Sequence, residues 1–142
     1  MGIDVGTSGV KVLLIDTEGN IVSEATTHQN VIHVNPKWTE QEPETWWQNT
    51  ISSINKVLSD SSSLPYPIDI SCIGITGQMH SSVFLDNSRD SIRPAILWND
   101  SRTTLQCKHI HDSVGMDFLY NEIGNLALEG FTATKILWLQ EN

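Results

Sequence analysis

Positive charge is scarce in this chain. Lys and Arg number 8 against 17 Asp and Glu in 142 residues, a formal net charge of −9 with His neutral. A surface so short of cations argues against nucleic acid or an anionic membrane as partner, because phosphate backbones and acidic headgroups need a basic face. Cysteine is nearly missing too. Cys72 and Cys107 lie far apart and fit no metal spacing, and Cys72, in an apolar strand-like run, reads as a buried thiol. No basic-then-apolar leader opens the sequence, and no apolar run nears the roughly 20 residues of a membrane span. A soluble cytoplasmic domain is the expectation. Internal repeats and low-complexity linkers are also lacking. The chain is long enough for one ordinary domain with a real core.

What is present begins at once. Gly2 to Asp16 reads GIDVGTSGVKVLLID, two β-rich apolar runs around Gly6-Thr7-Ser8-Gly9. Four small residues between such runs make a hairpin, with glycine at positive φ. That reading leaves Asp4, a carboxylate at the mouth of the turn, and the two hydroxyls at its tip without a task. Consecutive backbone N–H groups in such a turn can instead form an anion-binding concavity to which Thr and Ser add donors. Asp4 would repel a bare phosphate, so a phosphate there suggests a bridging Mg²⁺ with its waters.

The rest of the chain reads as a mixed α/β layer. Asp16 to Asn20 is a second hairpin turn, Ile21 to Val34 continues in extended style, and Asn35-Pro36-Lys37 breaks the sheet. Pro43 and Glu44 suit the first turn of a helix whose apolar face is Trp47, Ile51, Ile54 and Leu58, with the tryptophans in packing roles. Ile68 to Thr76 is apolar almost throughout, as a strand covered on both faces would be, and Val83 to Asp86 resumes a strand. Between them Gln78-Met79-His80-Ser81-Ser82 clusters polar groups at a strand's carboxyl end, where open α/β sheets place ligands. His80 is either a satisfied loop histidine or a ligand group. Arg93 to Trp98 is a further extended run, and Asn99-Asp100-Ser101-Arg102 opens a helix through His111 with Asp100 or Ser101 as N-cap. Arg102 could hold a neighbouring carboxylate or a polyol hydroxyl. His109 and His111 read as surface. A short helix between Gly115 and Gly124 and a last one from Thr132, its cap, complete the pattern, with Ile136, Leu137 and Leu139 apolar. A hairpin sheet, a crossover helix and a parallel strand follow in that order.

Five stretches then combine. Gly2 to Lys11, Trp38 to Trp47, Ile75 to His80, Arg93 to Arg102 and Gly130 to Ala133 resemble, in order, motifs of the FGGY carbohydrate kinases. The likeness covers nearly the whole chain. Glycerol- and gluconate-phosphorylating branches share the opening motif, whereas the Gln-Met-His and Leu-Trp-Asn-Asp runs lean toward the branch acting on D-xylulose.

The resemblance implies an actin-like, ribonuclease-H-like ATPase domain, with a mixed sheet of about five strands and flanking helices. The chain would be the front part of the first of two such domains, between which sugar and ATP bind. Asp4, Gly6, Thr7, Ser8 and Lys11 fall on the motif facing the ATP phosphates and magnesium. Met79 and His80 fall on sugar-contacting positions, with Gln78, Trp98, Asp100 and Arg102 near them. The implied reaction is ATP-dependent phosphorylation of a ketose, D-xylulose to D-xylulose 5-phosphate. Another ketose or polyol, or a non-catalytic sugar-sensing module, stays open, as does a homodimer. The family's catalytic Asp falls beyond Asn142, so the segment alone is expected to be inactive. Three residues depart from the family pattern: Ser81 stands where many relatives have Gly, Glu42 replaces the usual Asp before Pro43, and Thr134 replaces a common Pro.

Overall fold

A computed structural model of the chain describes residues 1–142, apart from the side chain of Ser63. In chain order the elements are β1 (Gly2–Val5), β2 (Gly9–Ile15), β3 (Ile21–His28), β4 (Ile32–Asn35), β5 (Trp38–Gln41), α1 (Pro43–Asp60), β6 (Gly74–Gly77), β7 (Ala95–Ile96), α2 (Thr104–Val114), α3 (Met116–Phe118) and α4 (Thr132–Glu141). They fall into two units: residues 1–31 with 42–78, and residues 32–41 with 79–142.

The first unit is built on a four-stranded sheet of order β3-β2-β1-β6 rather than the expected five. β1, β2 and β3 form an antiparallel meander, and β6 returns parallel to β1. Alternation along β2 buries Val10, Val12 and Leu14, and these join Ile3, Ala25 and Val57 of α1 in one core. The predicted helix starts at Pro43, and Glu42, at its N-cap position, gives it no side-chain cap bond. Its buried face only partly matches the expected one: Ile54 packs against the core, but it is not among the deepest residues. Thr50, Ser53 and Val57 point inward, while Trp47 is 58% exposed. Small hydroxyl residues let the helix lie close to the sheet and satisfy it: Ser53 Oγ donates to the Val10 carbonyl (3.2 Å) and shares a hydrogen bond with Thr27 Oγ1 (2.7 Å).

The run Ile68 to Thr76 is corrected more sharply. Only its last residues enter β6, whose residues are all exposed, and Cys72 is exposed rather than buried. The reason is position. β6 is the outermost strand, paired only to β1, so Ile75 is 75% exposed, while Ile68 and Ile70 pack beside the core without forming a ladder.

The second unit carries an antiparallel three-stranded sheet, β4-β5-β7. Asn35-Pro36-Lys37 does not break a sheet but turns this hairpin, with Asn35 Oδ1 accepting the Lys37 N–H at 2.9 Å. Val83 to Asp86 forms no strand: Leu85 makes an isolated pairing with Ser91, and Ser82, just before the run, makes another with Ile96. The interior mixes Ala95, Ile96, Leu97, Cys107, Leu119 and Trp138 with buried Glu40, Asp100, Thr103, Thr134 and Lys135. α4 buries Thr134, Lys135 and Trp138, leaving Ile136 exposed, and Phe131 rather than Thr132 holds its N-cap position. α2 begins after Thr103, so neither Asp100 nor Ser101 caps it. The short helical stretch between Gly115 (φ 87°) and Gly124 (φ 75°) is present as expected.

Candidate functional site

The Gly6–Gly9 turn lies in the first unit, where Val5 pairs with Val10 and the Gly6 N–H bonds the Gly9 carbonyl at 3.1 Å. Its glycines are needed for closeness and not for φ: the glycines at positive φ are Gly19, Gly115 and Gly124. A Cβ on Gly9 would stand 2.9 Å from the Thr27 carbonyl, and one on Gly6 3.2 Å from the Gly9 carbonyl. Gln29, which no sequence pattern singled out, braces the turn from β3's far end. Its Nε2 donates to the Gly6 carbonyl (2.6 Å) and its backbone N–H to the Ser8 carbonyl (3.0 Å). Asp4 is exposed beside the turn, opposite Lys11 across β1 and β2 and opposite Thr76 across β1 and β6. Lys11 holds Glu24 at 2.8 Å, both side chains half exposed. Gln78, expected with the sugar residues, belongs to this turn: Thr7 Oγ1 donates to Gln78 Oε1 (3.1 Å), and the Gln78 N–H reaches the Val5 carbonyl (3.0 Å).

The Met79–Ser82 loop is in the second unit. His80 adopts φ 60°, sparsely populated for any residue but glycine. The Ser81 N–H reaches back to the Met79 carbonyl at 2.8 Å, closing a three-residue turn around His80. Its surroundings hold this conformation. The His80 ring stacks on Phe131 with centroids 4.8 Å apart. Lys135 Nζ donates to the His80 carbonyl (2.7 Å) and to the Gly130 carbonyl (2.8 Å). Ser81 Oγ accepts the Trp98 N–H at 3.1 Å, so this serine ties the loop to Trp98. Gly130 passes so near that a Cβ on it would meet the Trp98 carbonyl at 2.4 Å. Met79, 74% exposed, and the half-exposed Trp98 face solvent around His80.

Asp100 and Arg102, expected at the sugar, are closed from solvent and committed to each other. Arg102 Nε and a terminal nitrogen grip the two Asp100 oxygens at 2.8 and 2.7 Å, and Thr39 N–H adds a third donor at 2.6 Å. Glu40 accepts from Arg102 at 2.7 Å and from Arg93. The Arg102 guanidinium lies 4.1 Å over Trp38 and 4.9 Å from the Trp138 ring centre, and its side chain is 1% exposed. Burial works against its charge, and the bonds from Asp100 and Glu40 outweigh that, so it is held above the ordinary arginine range. Lys135 lies wholly inside the same unit. Burial pushes its ammonium down to about 8, against the pull of Asp100 and with the push of Arg102.

The model of the FGGY family of carbohydrate kinases, N-terminal domain, matches residues 1–142. The chain belongs to this family. An FGGY relative, the xylulose kinase of Escherichia coli, is 43% identical over all 142 residues, yet the match covers 28% of that protein. The chain thus spans under a third of the length of the curated relatives it matches. Among solved FGGY structures, Plasmodium falciparum glycerol kinase with ADP superposes at a TM-score of 0.89 with 28% identity, covering 100% of this chain and 30% of that one. The xylulose kinase of Rhodospirillum rubrum reaches 0.92 at 21% identity, covering 99% and 28%, and speaks for the fold alone. The fold is the actin-like ATPase fold of these kinases. Among the described residues, no helix is long and apolar enough to cross a membrane.

Lys135 and Gln29 are the site residues that the sequence did not announce. Both act on backbone carbonyls, and a carbonyl carries no residue-type signal for a motif to register.

Proposed function

We propose that this segment is the front part of the N-terminal domain of a cytoplasmic ATP-dependent ketose kinase that converts D-xylulose to D-xylulose 5-phosphate. The single observation that carries the reading is the His80 loop, an exposed imidazole and thioether held in an uncommon backbone conformation by a buried scaffold. Such strain persists only where the surroundings over-determine it, and it gathers at ligand sites. The identity to the E. coli xylulose kinase supports the choice of sugar, and the ADP of the Plasmodium glycerol kinase supports the nucleotide.

Phosphoryl transfer asks mainly for positioning and for stabilisation of charge on the phosphate oxygens. In this reading Thr7, Ser8 and the Gly6–Gly9 backbone face the phosphates. Lys11, across the strand pair from Asp4 and paired with Glu24, lies on the same sheet face. The residues fit Mg²⁺ held through water, since Asp4 is an exposed carboxylate beside hydroxyls and this ion keeps several of its waters. When bound, the ion offsets phosphate charge. His80, as a neutral imidazole, can donate through one nitrogen and accept through the other, which suits a sugar hydroxyl. Met79 and Trp98 give apolar surface beside it, while Asp100 and Arg102 act from behind by fixing the segment that carries Trp98.

A second reading, another ketose or a polyol, draws on Ser81, whose hydroxyl ties the loop to the Trp98 N–H. The test uses the full-length enzyme that contains this segment. With MgATP and D-xylulose, glycerol or gluconate, ADP release is expected to give the highest kcat/KM for D-xylulose. A higher value for another acceptor reassigns the substrate.

A further inference from the structure

Among the described residues Lys135 is the largest fully buried side chain, and nothing in the proposed phosphoryl transfer calls for it. A lysine is rarely taken wholly out of water, because its charge loses hydration that only strong partners replace. The partners here are two carbonyls, those of His80 and Gly130, 55 and 5 residues away in sequence. A carboxylate would have neutralised the ammonium more effectively, and Asp100 lies near enough to act on its charge, yet Arg102 has claimed both Asp100 oxygens. Both backbone stretches that Lys135 ties together are unusual. His80 sits at φ 60°, and Gly130 approaches Trp98 so closely that no side chain fits.

We infer that Lys135 is a positioning residue for the sugar loop: its buried ammonium clamps the His80 and Gly130 carbonyls and so sets the direction in which the His80 ring meets the substrate. The inference rests on the reading of that loop as the sugar site. Thr132 Oγ1 also approaches the His80 carbonyl, at 3.5 Å, too long to replace the ammonium. Phe131 supports the ring itself. The clamp therefore fixes the backbone, and the stack fixes the ring plane.

Protonation matters because an ammonium is a stronger donor than a neutral amine. Two charged groups flank Lys135, Asp100 favouring the ammonium and Arg102 opposing it. With the ammonium titrating at about 8, the clamp is complete below that pH and weakens as pH rises through it.

The test is made in the full-length enzyme. Calorimetric titration of Lys135→Met with D-xylulose should show Kd raised about tenfold, the size of one lost charge-assisted hydrogen bond. ATP affinity should stay within about twofold. Wild-type D-xylulose affinity should fall between pH 7 and 9.5, and the variant's should not. Should Lys135→Met fail to fold, the wild-type profile still decides, and a flat sugar affinity over that range overturns the proposal. A folded Lys135→Met with unchanged sugar affinity overturns it too. His80→Ala separates the two levels. If that variant weakens D-xylulose binding while Lys135→Met does not, the clamp fails and the sugar loop stands. If His80→Ala leaves sugar affinity intact in a folded protein, the sugar-loop reading fails and the clamp with it.

Discussion

Asp4 and Asp100 show how neighbourhood assigns different work to the same side chain. Asp100 is enclosed, with Thr39, Arg102 and the Arg102 backbone all donating to it. It is a structural anion. Asp4 is exposed on a sheet face, opposite a lysine and a threonine. In the full-length enzyme Asp4→Asn should lower kcat far more than it raises KM for the sugar. The group lies beside the turn proposed to face the phosphates, and on that reading a loss there removes stabilisation made in the transition state and not in sugar binding. Steady-state kinetics with varied D-xylulose check this, and a variant with near-normal kcat would leave Asp4 as the end of a strand. Sequence could place both residues in motifs. It could not distinguish their fates, because the Asp100 partner Thr39 lies 61 residues away and pairs through its backbone.

Elements that depend on local chemistry were legible, and those that depend on distant packing were not. The β1–β2 turn, the Asp16 hairpin and the helix from Pro43 each follow from signals within a few residues, and each is present. Of the apolar face expected for α1, Ile54 packs on the core, but apolar periodicity overlooks the hydroxyl residues that lie closest to the sheet, as Ser53 does beneath Val10. β5 was not assigned at all, since Trp38-Thr39-Glu40-Gln41 alternates no polarity and is buried by the ion network instead. The Gly6–Gly9 turn yields a prediction of its own. Gln29→Leu removes the bond to the Gly6 carbonyl and also a buried oxygen, Gln29 Oε1, that has no partner. The two effects oppose each other in stability, each on the order of 1–3 kcal/mol. The melting temperature should therefore move little, while KM for ATP rises severalfold as the turn loosens. An unchanged ATP KM in the full-length variant would reduce Gln29 to a filler.

For the molecule as a whole, the family and its mixed α/β fold were readable from ordered motifs, whereas the strand count and the division into two units were not. The proposed chemistry also needs an acceptor for the sugar's proton. In the second unit, Asp86 accepts the Ser88 and Asp90 amides of its own turn, and Asp100 is enclosed. The 142-residue chain alone, given MgATP and D-xylulose, should accordingly release ADP only at background rate. Sugar-dependent turnover on the order of 1–100 per second, the ordinary range for kinases, would show that the segment holds its own base.

The outermost strand carries one more consequence, for handling. β6 pairs with β1 on one side and leaves its other ladder edge open, with Ile73 and Ile75 both more than half exposed along it. An open, apolar, uncharged edge is a template for another strand. Prepared by itself, this segment should self-associate as its concentration rises, visible as growing light scattering and earlier elution on gel filtration. Ile75→Lys, which sets a charge on that edge, should keep it dispersed at concentrations where the parent chain clouds.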